Sequence, residues 1–517
     1  MSPLELDFDS CYRAVSSRDA RFDGRFYTAV TTTRIYCRPI CPARTPASRN
    51  VRFYRHAASA EAAGFRPCKR CRPELSPGDP GWDLRGDLVG RALRLIDDGA
   101  ADEQGVAGLA RRLHITERHL HRLFVAELGV GPLAVARTKR LLLAKQLLTE
   151  TGLPVTEVAF ASGFGSVRQF NATMRETYGF TPSELRATVG PKAARTAAAV
   201  GPKATRTAAA VVPKATRTAA ATRPSNGTGP VRATGDTASP GADMSGMAAG
   251  PVTLRLRLHR REPYDVAGVF AFLTSRAIPG LEVADHTSYT RAVQGGTITL
   301  TPAKDHIALD VAMDDTRQLA RVVARCRRLL DLDADPQAIS DILGQTSLAP
   351  LVAARPGLRV PGAFDGFELA VRAVVGQQIS VAGARTLLGR IVARTAAPGG
   401  LFPAPDLLLD TDLTGLGLTN RRIDTLKDLA ARLVEGRIDL DGAQDPAEAV
   451  AELLEVRGIG PWTAGYIALR ALRDPDAWPT GDLVLDKRMA ALGIPQDHIE
   501  RWRPWRAYAA LHLWSSS

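Results

Sequence analysis

Residues 454–487 read LEVRGIGPWTAGYIALRALRDPDAWPTGDLVLDK. Gly458-Ile459-Gly460 lies between two apolar runs with helical spacing, so the stretch predicts two helices joined by a tight hairpin. Glycine permits positive φ at the turn and lets another surface come close to the backbone. The helix that opens after Gly460 presents backbone amides, a seat for a phosphate. Asp482 follows Gly460 by 22 residues and immediately precedes the apolar run Leu483-Val484-Leu485. A lone Gly-x-Gly is usually a helix terminus, and a lone Asp before an apolar run is usually an N-cap. Together with WTAGY and PTGDL the two features are more specific than either alone.

This arrangement resembles the helix-hairpin-helix DNA glycosylases, which remove damaged bases. The resemblance implies a catalytic Asp482 and DNA contacts at Gly458, Gly460 and Thr463. LRVPGAFDGFELAVRAVVGQQISVAGARTLLGRIV, from residue 358, and the later RWRPWRAYAALHLW resemble the AlkA-type 3-methyladenine glycosylases, and the likeness spans 251–517. TLRLRLHR and TITLTPAKDHIALDVAM alternate apolar and polar residues and predict strands. An α+β subdomain over 251–350 is therefore expected before an all-helical domain over 351–517. The resemblance further implies a base pocket of Trp462, Tyr466 and Trp514, and a duplex wedge at Gln378, where the family has an apolar side chain. Alkylated bases such as 3-methyladenine are cationic, and aromatic faces attract them by cation–π contact once the nucleotide is flipped out. Asp482 would stabilise the oxocarbenium ion or orient water, as carboxylates do in glycoside hydrolysis. Members that also cut the backbone carry a lysine where this chain has Trp462, and no cysteine follows Cys326 to hold an iron–sulfur cluster. A monofunctional glycosylase is expected.

At the other end, Cys37-x3-Cys41 and Cys68-x2-Cys71 form two short pairs, a spacing that suits one tetrahedral zinc. From spacing alone a structural zinc knuckle is the default. TTTRIYCRPICPAR and AAGFRPCKRCRPE resemble the N-terminal domain of Ada-type alkylation-response proteins. That resemblance, over residues 1–78, implies that Cys37 accepts a methyl group from a DNA phosphotriester. A zinc with four thiolates carries formal charge −2, and methylation leaves −1. Arg34, Arg38, Arg44, Arg66, Lys69, Arg70 and Arg72 are available in sequence to meet phosphates. Methylation would raise DNA affinity and act as a damage switch. Cys11 lies outside the spacing and reads as a small buried hydrophobe.

Between residues 83 and 186, GVAGLARRLHITERHLHRLF and PVTEVAFASGFGSVRQFNATMR each show helical spacing on both sides of a turn. They predict a duplicated helix-turn-helix. With GFTPSELR, the segment resembles AraC-type regulators. The resemblance implies recognition helices near Thr116–Phe124 and Ser166–Met174, with Arg118, His119, Arg122, Arg168 and Gln169 as candidate readers. Arg137, Lys139 and Arg140 are expected to meet DNA backbone, and RNA polymerase is an expected partner.

Residues 187–250 contain an 11-residue repeat with Pro191, Pro202 and Pro213 in register and no Phe, Trp or Tyr. Such a segment cannot bury a core and is expected to be a disordered tether, with a reach that lets the halves sit on separate stretches of duplex so that neither needs to contact the other. Formal net charge is +13. Residues 1–75 hold 14 Lys/Arg and 7 Asp/Glu, and 187–250 hold 8 and 2, so these two stretches supply +7 and +6. The glycosylase half nets to zero with the helix-turn-helix segment and must hold DNA by local geometry. The expected fold class is multidomain and mainly α with α+β parts: a small four-cysteine zinc domain, a helical double helix-turn-helix, a linker, an α+β subdomain and a helix-hairpin-helix domain. No run of 18 apolar residues occurs, and a cytoplasmic, nucleoid-associated protein acting on double-stranded DNA is expected. The alternative is a DNA-damage-binding regulator whose glycosylase-like half is not catalytic.

Overall fold

The computed structural model describes residues 6–78, 88–189 and 251–516. Most of the expected linker (190–250), the start of the expected second domain (83–87) and residues 1–5 lie outside the described residues.

The N-terminal unit begins with α1 (Phe8–Ser17) and carries α2 (Ala57–Ala62). Four short strands follow one another as β1 (Tyr27–Val30), β2 (Ile35–Cys37), β3 (Val51–Tyr54) and β4 (Arg66–Pro67), in the sheet order β3-β1-β2-β4. The β2–β4 pair is parallel, with Ile35 opposite Arg66 and Tyr36 opposite Pro67. That register brings Cys37, the last residue of β2, beside Cys68, the first residue after β4. Cys11 is buried on α1, as expected.

The next unit comprises α3 (Leu88–Asp97), α4 (Ala100–Arg112), α5 (Glu117–Leu128), α6 (Pro132–Glu150), α7 (Val155–Ala161), α8 (Val167–Tyr178) and α9 (Pro182–Val189). The duplication is visible in its punctuation. Thr116 caps α5 and Ser166 caps α8, each hydroxyl accepting from the amide three residues on. Gly129 and Gly179, both at positive φ, end the two 12-residue helices.

The C-terminal half opens with β5 (Val252–His259) and α10 (Val266–Arg276). Then come β6 (Glu282–Ala284), β7 (Tyr289–Val293), β8 (Gly296–Pro302), β9 (His306–Met313) and α11 (Leu319–Leu329). The five strands form one antiparallel sheet in the order β5-β9-β8-β7-β6. The stretches expected as strands, 253–260 and 297–313, form β5, β8 and β9, while β6 and β7 were not anticipated. Helices α12 (Pro336–Leu343), α13 (Ala349–Ala354), α14 (Gly366–Val375), α15 (Val381–Thr395), α16 (Pro405–Asp410), α17 (Asn420–Val434), α18 (Pro446–Leu454), α19 (Pro461–Arg470), α20 (Leu483–Ala491) and α21 (Arg506–Trp514) complete the chain.

The two halves do not sit apart. One continuous apolar cluster contains Leu147, Phe164 and Phe170 of the helix-turn-helix unit together with Leu256, Phe270 and Leu309 of the α+β subdomain. Arg261, 7% exposed, donates to the carbonyls of Asp23, Gly78 and Asp333. Arg25 pairs with Asp335, Arg328 with Asp98 at 2.8 Å, and Arg112 with Asp439 at 3.2 Å. The expectation of a tether joining halves that need not touch is therefore corrected. A linker without core-forming residues says nothing about the faces of the domains it joins, and here those faces are apolar and complementary in charge.

Candidate functional site

The hairpin joins α18 to α19. Gly458 takes φ +97°, and a Cβ there would lie 2.3 Å from Thr425 Oγ1, so only glycine fits. Gly460 instead has extended backbone and is the N-cap of α19; no atom lies within 4 Å of where its Cβ would be, leaving the helix start open to a ligand. Pro461 at the first helical position has no backbone N–H, so Trp462 and Thr463 supply the first N–H groups. The Thr463 side chain is 2% exposed and its hydroxyl accepts from Gln377 Nε2 at 2.9 Å. Its expected DNA contact therefore narrows to its backbone amide. Gln377 also donates to the Gly458 carbonyl at 3.0 Å, tying the α14–α15 loop to the hairpin. Gln378, next in that loop, is exposed and takes φ +57°, a left-handed conformation unfavourable for a side chain.

Helix α19 carries Trp462, Tyr466 and Arg470 at i, i+4 and i+8, one face of the helix. The Trp462 and Tyr466 rings stack at 5.5 Å and 13°, and Trp514 meets Tyr466 edge-on at 6.3 Å. All four line a cavity of about 740 Å³ with Asp482 and Phe272. Asp482 is 8% exposed and is the N-cap of α20. Its Oδ1 accepts from the amides of Val484 and Leu485, both at 2.9 Å, and its Oδ2 from Trp462 Nε1 at 2.7 Å. The capping role and the site role are thus held by different oxygens of one carboxylate. Such a cavity offers π faces to a flat ligand and a fixed anion beside them.

Phe272 and Arg276, from α10, were not anticipated, and neither was Arg470. In sequence, an aromatic followed four residues later by Arg inside an apolar helix reads as core with a snorkelling end, so no signal separated them.

In the N-terminal unit the four sulfurs of Cys37, Cys41, Cys68 and Cys71 lie within 4.8 Å of one another. Zinc–thiolate bonds of about 2.3 Å place tetrahedral sulfurs at such separations, so the donor set fits zinc. Cys68 and Cys71 are buried, whereas Cys37 and Cys41 are half-exposed. The seven expected phosphate-binding cations divide. Arg38 is buried and pairs with Asp23, with its backbone N–H 3.4 Å from Cys71 Sγ. Arg72 pairs with Glu74 and with Glu150 of α6, and Lys69 sits 4.4 Å over the Phe180 ring. Arg38 is thus held within its own unit, while Arg72 and Lys69 serve packing against the helix-turn-helix unit. Arg34, Arg44 and Arg70 remain exposed, and Arg66 half-exposed.

Arg118 and Arg122 on α5, and Arg168 and Gln169 on α8, are exposed. His119 is partly covered and its Nδ1 lies 2.9 Å from Arg122 Nη2. On α6, Lys139 pairs with Asp97 and Arg140 with Asp102, so these two do not stand free for DNA backbone as expected.

Three family models match the chain: the metal binding domain of Ada over residues 10–74, a helix-turn-helix domain over 109–188, and the AlkA N-terminal domain over 255–365. A Mycobacterium tuberculosis protein named "probable bifunctional transcriptional activator/DNA repair enzyme AlkA" is 43% identical across 99% of this chain and 96% of its own. DNA-3-methyladenine glycosylase 2 of Escherichia coli is 34% identical over 50% of this chain and 95% of its own. The bifunctional transcriptional activator/DNA repair enzyme Ada of the same organism is 36% identical over 35% of this chain and 49% of its own. Against Ada, this chain spans about half the relative's length.

Proposed function

The chain belongs to the family of bifunctional transcriptional activator/DNA repair enzymes of the AlkA type, and from that premise we propose which residues perform each task. It is a zinc-binding alkylation-response regulator and a DNA glycosylase acting on alkylated bases.

In the glycosylase half, the duplex rests its backbone on the amides at the start of α19, and Gln378 enters the gap where the nucleotide leaves the stack. The extruded base lies against Trp462, Tyr466 and Trp514, whose faces favour a cationic ring. Asp482 faces C1′. The C1′–N bond breaks heterolytically, its electron pair goes to the base, and the carboxylate stabilises the oxocarbenium ion. Water then adds to C1′ and loses a proton. Trp462 stands where a lyase would need an amine, so the abasic strand is released uncut. The observation that carries this reading is the Asp482 carboxylate fixed in the wall of an aromatic cavity, bonded to Trp462 at the open start of α19. Excision from a duplex carrying one 3-methyladenine, by wild type and Asp482→Asn, tests it. Full activity in the Asn variant would remove Asp482 from the mechanism, and no excision by wild type would return the half to damage recognition without catalysis.

In the regulator half, Cys37, Cys41, Cys68 and Cys71 hold zinc, which keeps their sulfurs ionised. Cys37 Sγ attacks the methyl carbon of a phosphotriester; the S–C bond forms, the C–O bond breaks, and a phosphodiester departs. Arg34, Arg44, Arg66 and Arg70 supply phosphate contacts. Arg118, Arg122, Arg168 and Gln169 read promoter DNA, and RNA polymerase is recruited there. A cytoplasmic, nucleoid-associated location follows from these tasks.

A further inference from the structure

Helix α17 carries Arg422, Thr425, Asp428 and Arg432 at a spacing that puts them on one face. Each meets the backbone of a neighbouring loop. Thr425 Oγ1 lies 2.8 Å from the Arg457 carbonyl, Asp428 Oδ2 accepts from the Arg457 amide at 3.2 Å, and Arg432 donates to the Glu455 carbonyl at 3.0 Å. Those three fix the hairpin. Arg422, half-buried, instead donates to the Gln377 carbonyl in the α14–α15 loop, and among the described residues it makes no ion pair. Gly376 and Ile379 of that loop line the base cavity, whereas Gln377 and Arg422 do not.

The loop is tied from a second side. Gln377 Nε2 donates to the Gly458 carbonyl at 3.0 Å and to the Thr463 hydroxyl at 2.9 Å. The backbone and side chain of one residue thus join α17, the hairpin and the start of α19. On the far side of the loop, Ser380 caps α15, accepting from the Gly383 amide at 3.1 Å. Gln378 stands between these two fixed points, exposed and at φ +57°. A left-handed backbone at a residue with a side chain is unfavourable and persists only where its surroundings hold it. Here the surroundings that hold it are the same groups that hold the hairpin.

We propose that Gln377 and Arg422 are positioning residues for base extrusion, which keep Gln378 at a set distance from the amides at the start of α19. The inference rests on the reading of Gln378 as the duplex wedge and of α19 as the phosphate seat. A duplex seated on α19 then meets Gln378 in register with the nucleotide that leaves the stack. Once the bonds to Gln377 are lost, the loop relaxes from its left-handed conformation, and wedge insertion carries the added cost of ordering it. The effect falls on extrusion of a paired base, not on the bond-breaking step at C1′.

Single-turnover excision of 7-methylguanine is measured with the full chain on two duplexes, one with the lesion opposite cytosine and one with it opposite an abasic-site analogue. Without a pairing partner the base leaves the stack at lower cost, so the wedge matters less. The ratio of the unpaired to the paired rate, taken on one preparation, is independent of the fraction folded. Gln377→Met and Arg422→Met are each expected to raise that ratio about tenfold, and Arg422→Lys to restore most of it. Gln378→Ala should raise it at least as far. An unchanged ratio in both Met variants, whether the two rates fall equally or not at all, would overturn the proposal and leave Arg422 a phosphate contact or a packing residue. If Gln378→Ala raises the ratio while the Met variants do not, the wedge stands and the positioning role fails. If Gln378→Ala leaves it unchanged, the wedge reading fails and the proposal falls with it.

Discussion

The indole N–H of Trp462 donates to Asp482 across 20 residues of sequence, Nε1 to Oδ2 at 2.7 Å. The same carboxylate caps α20 through its other oxygen. Asparagine caps helices about as well as aspartate, so Asp482→Asn keeps the fold while removing the charge. Base release should fall at least about a hundredfold with DNA affinity nearly unchanged. A residual rate within tenfold of wild type would take Asp482 out of the mechanism.

Trp462→Phe keeps a ring in the stack and removes the donor. A hydrogen bond to a charged group contributes about 1.5–3 kcal/mol, which corresponds to roughly ten- to a hundredfold in rate. The loss should fall on the excision step rather than on duplex binding. If Phe and Trp enzymes excise at equal rates, the bond does not position the carboxylate.

Glu61 is buried between the zinc unit and the helix-turn-helix unit. It accepts from Tyr36 at 2.9 Å, Tyr178 at 3.3 Å and Thr138, with no ion pair among the described residues. Burial pushes its carboxyl up from 4.5 to about 7, against those hydroxyl donors. Between these pH values the folded chain keeps a proton that the unfolded chain has lost. The contribution to stability is therefore full below about 4.5, declines as pH rises, and is gone above about 7. Its size is at most roughly 3 kcal/mol. Urea unfolding of wild type and Glu61→Gln across that window checks the sign: the wild-type curve should fall relative to the glutamine variant. Parallel curves would mean that Glu61 is ionised throughout.

The hairpin, the two cysteine pairs and the paired helix-turn-helix units were legible because each rests on local chemistry: glycine at a turn, thiols at ligand spacing, apolar residues at helical spacing on both sides of a turn. What was not legible depends on partners distant in sequence. Arg38 and Arg72 look like phosphate binders beside cysteines, yet Asp23 and Glu150 claim them. Phe272 and Arg276 become pocket residues only because α10 packs beside α15 and Phe272 meets Arg470 of α19. The docking of the halves was invisible because the C-terminal half carries no excess charge to reveal that Arg261 and Arg328 are spent on the other half.

Cys37 and Cys41 are the half-exposed thiols of the zinc cluster, and Cys68 and Cys71 are enclosed. An incoming phosphotriester can reach only the first two. After exposure to methylated DNA, peptide mapping should find one methyl group, on Cys37, and one zinc per chain. Removing the metal with a strong chelator should abolish transfer and loosen β2 and β4, which meet through the cysteine register. Methyl recovered mainly on Cys41 would exchange the roles of the two accessible sulfurs.

The last prediction concerns the contact between halves. Arg195, Arg206 and Arg217 lie in the repeat and offer trypsin equivalent sites. If the repeat were all that joined the halves, the cut fragments would diffuse apart. The shared apolar cluster and the Arg261 contacts to Asp23 and Gly78 predict that they remain together. Arg261→Met leaves three carbonyls without that donor, each loss costing about 1–3 kcal/mol where the group stays buried. Size-exclusion chromatography of nicked wild type should therefore give one peak that retains both fragments and excises alkylated bases at the intact rate. Nicked Arg261→Met should release part of its N-terminal fragment under the same conditions. Complete separation of the wild-type fragments would show that the packed arrangement does not persist in solution, and that the halves act on DNA independently.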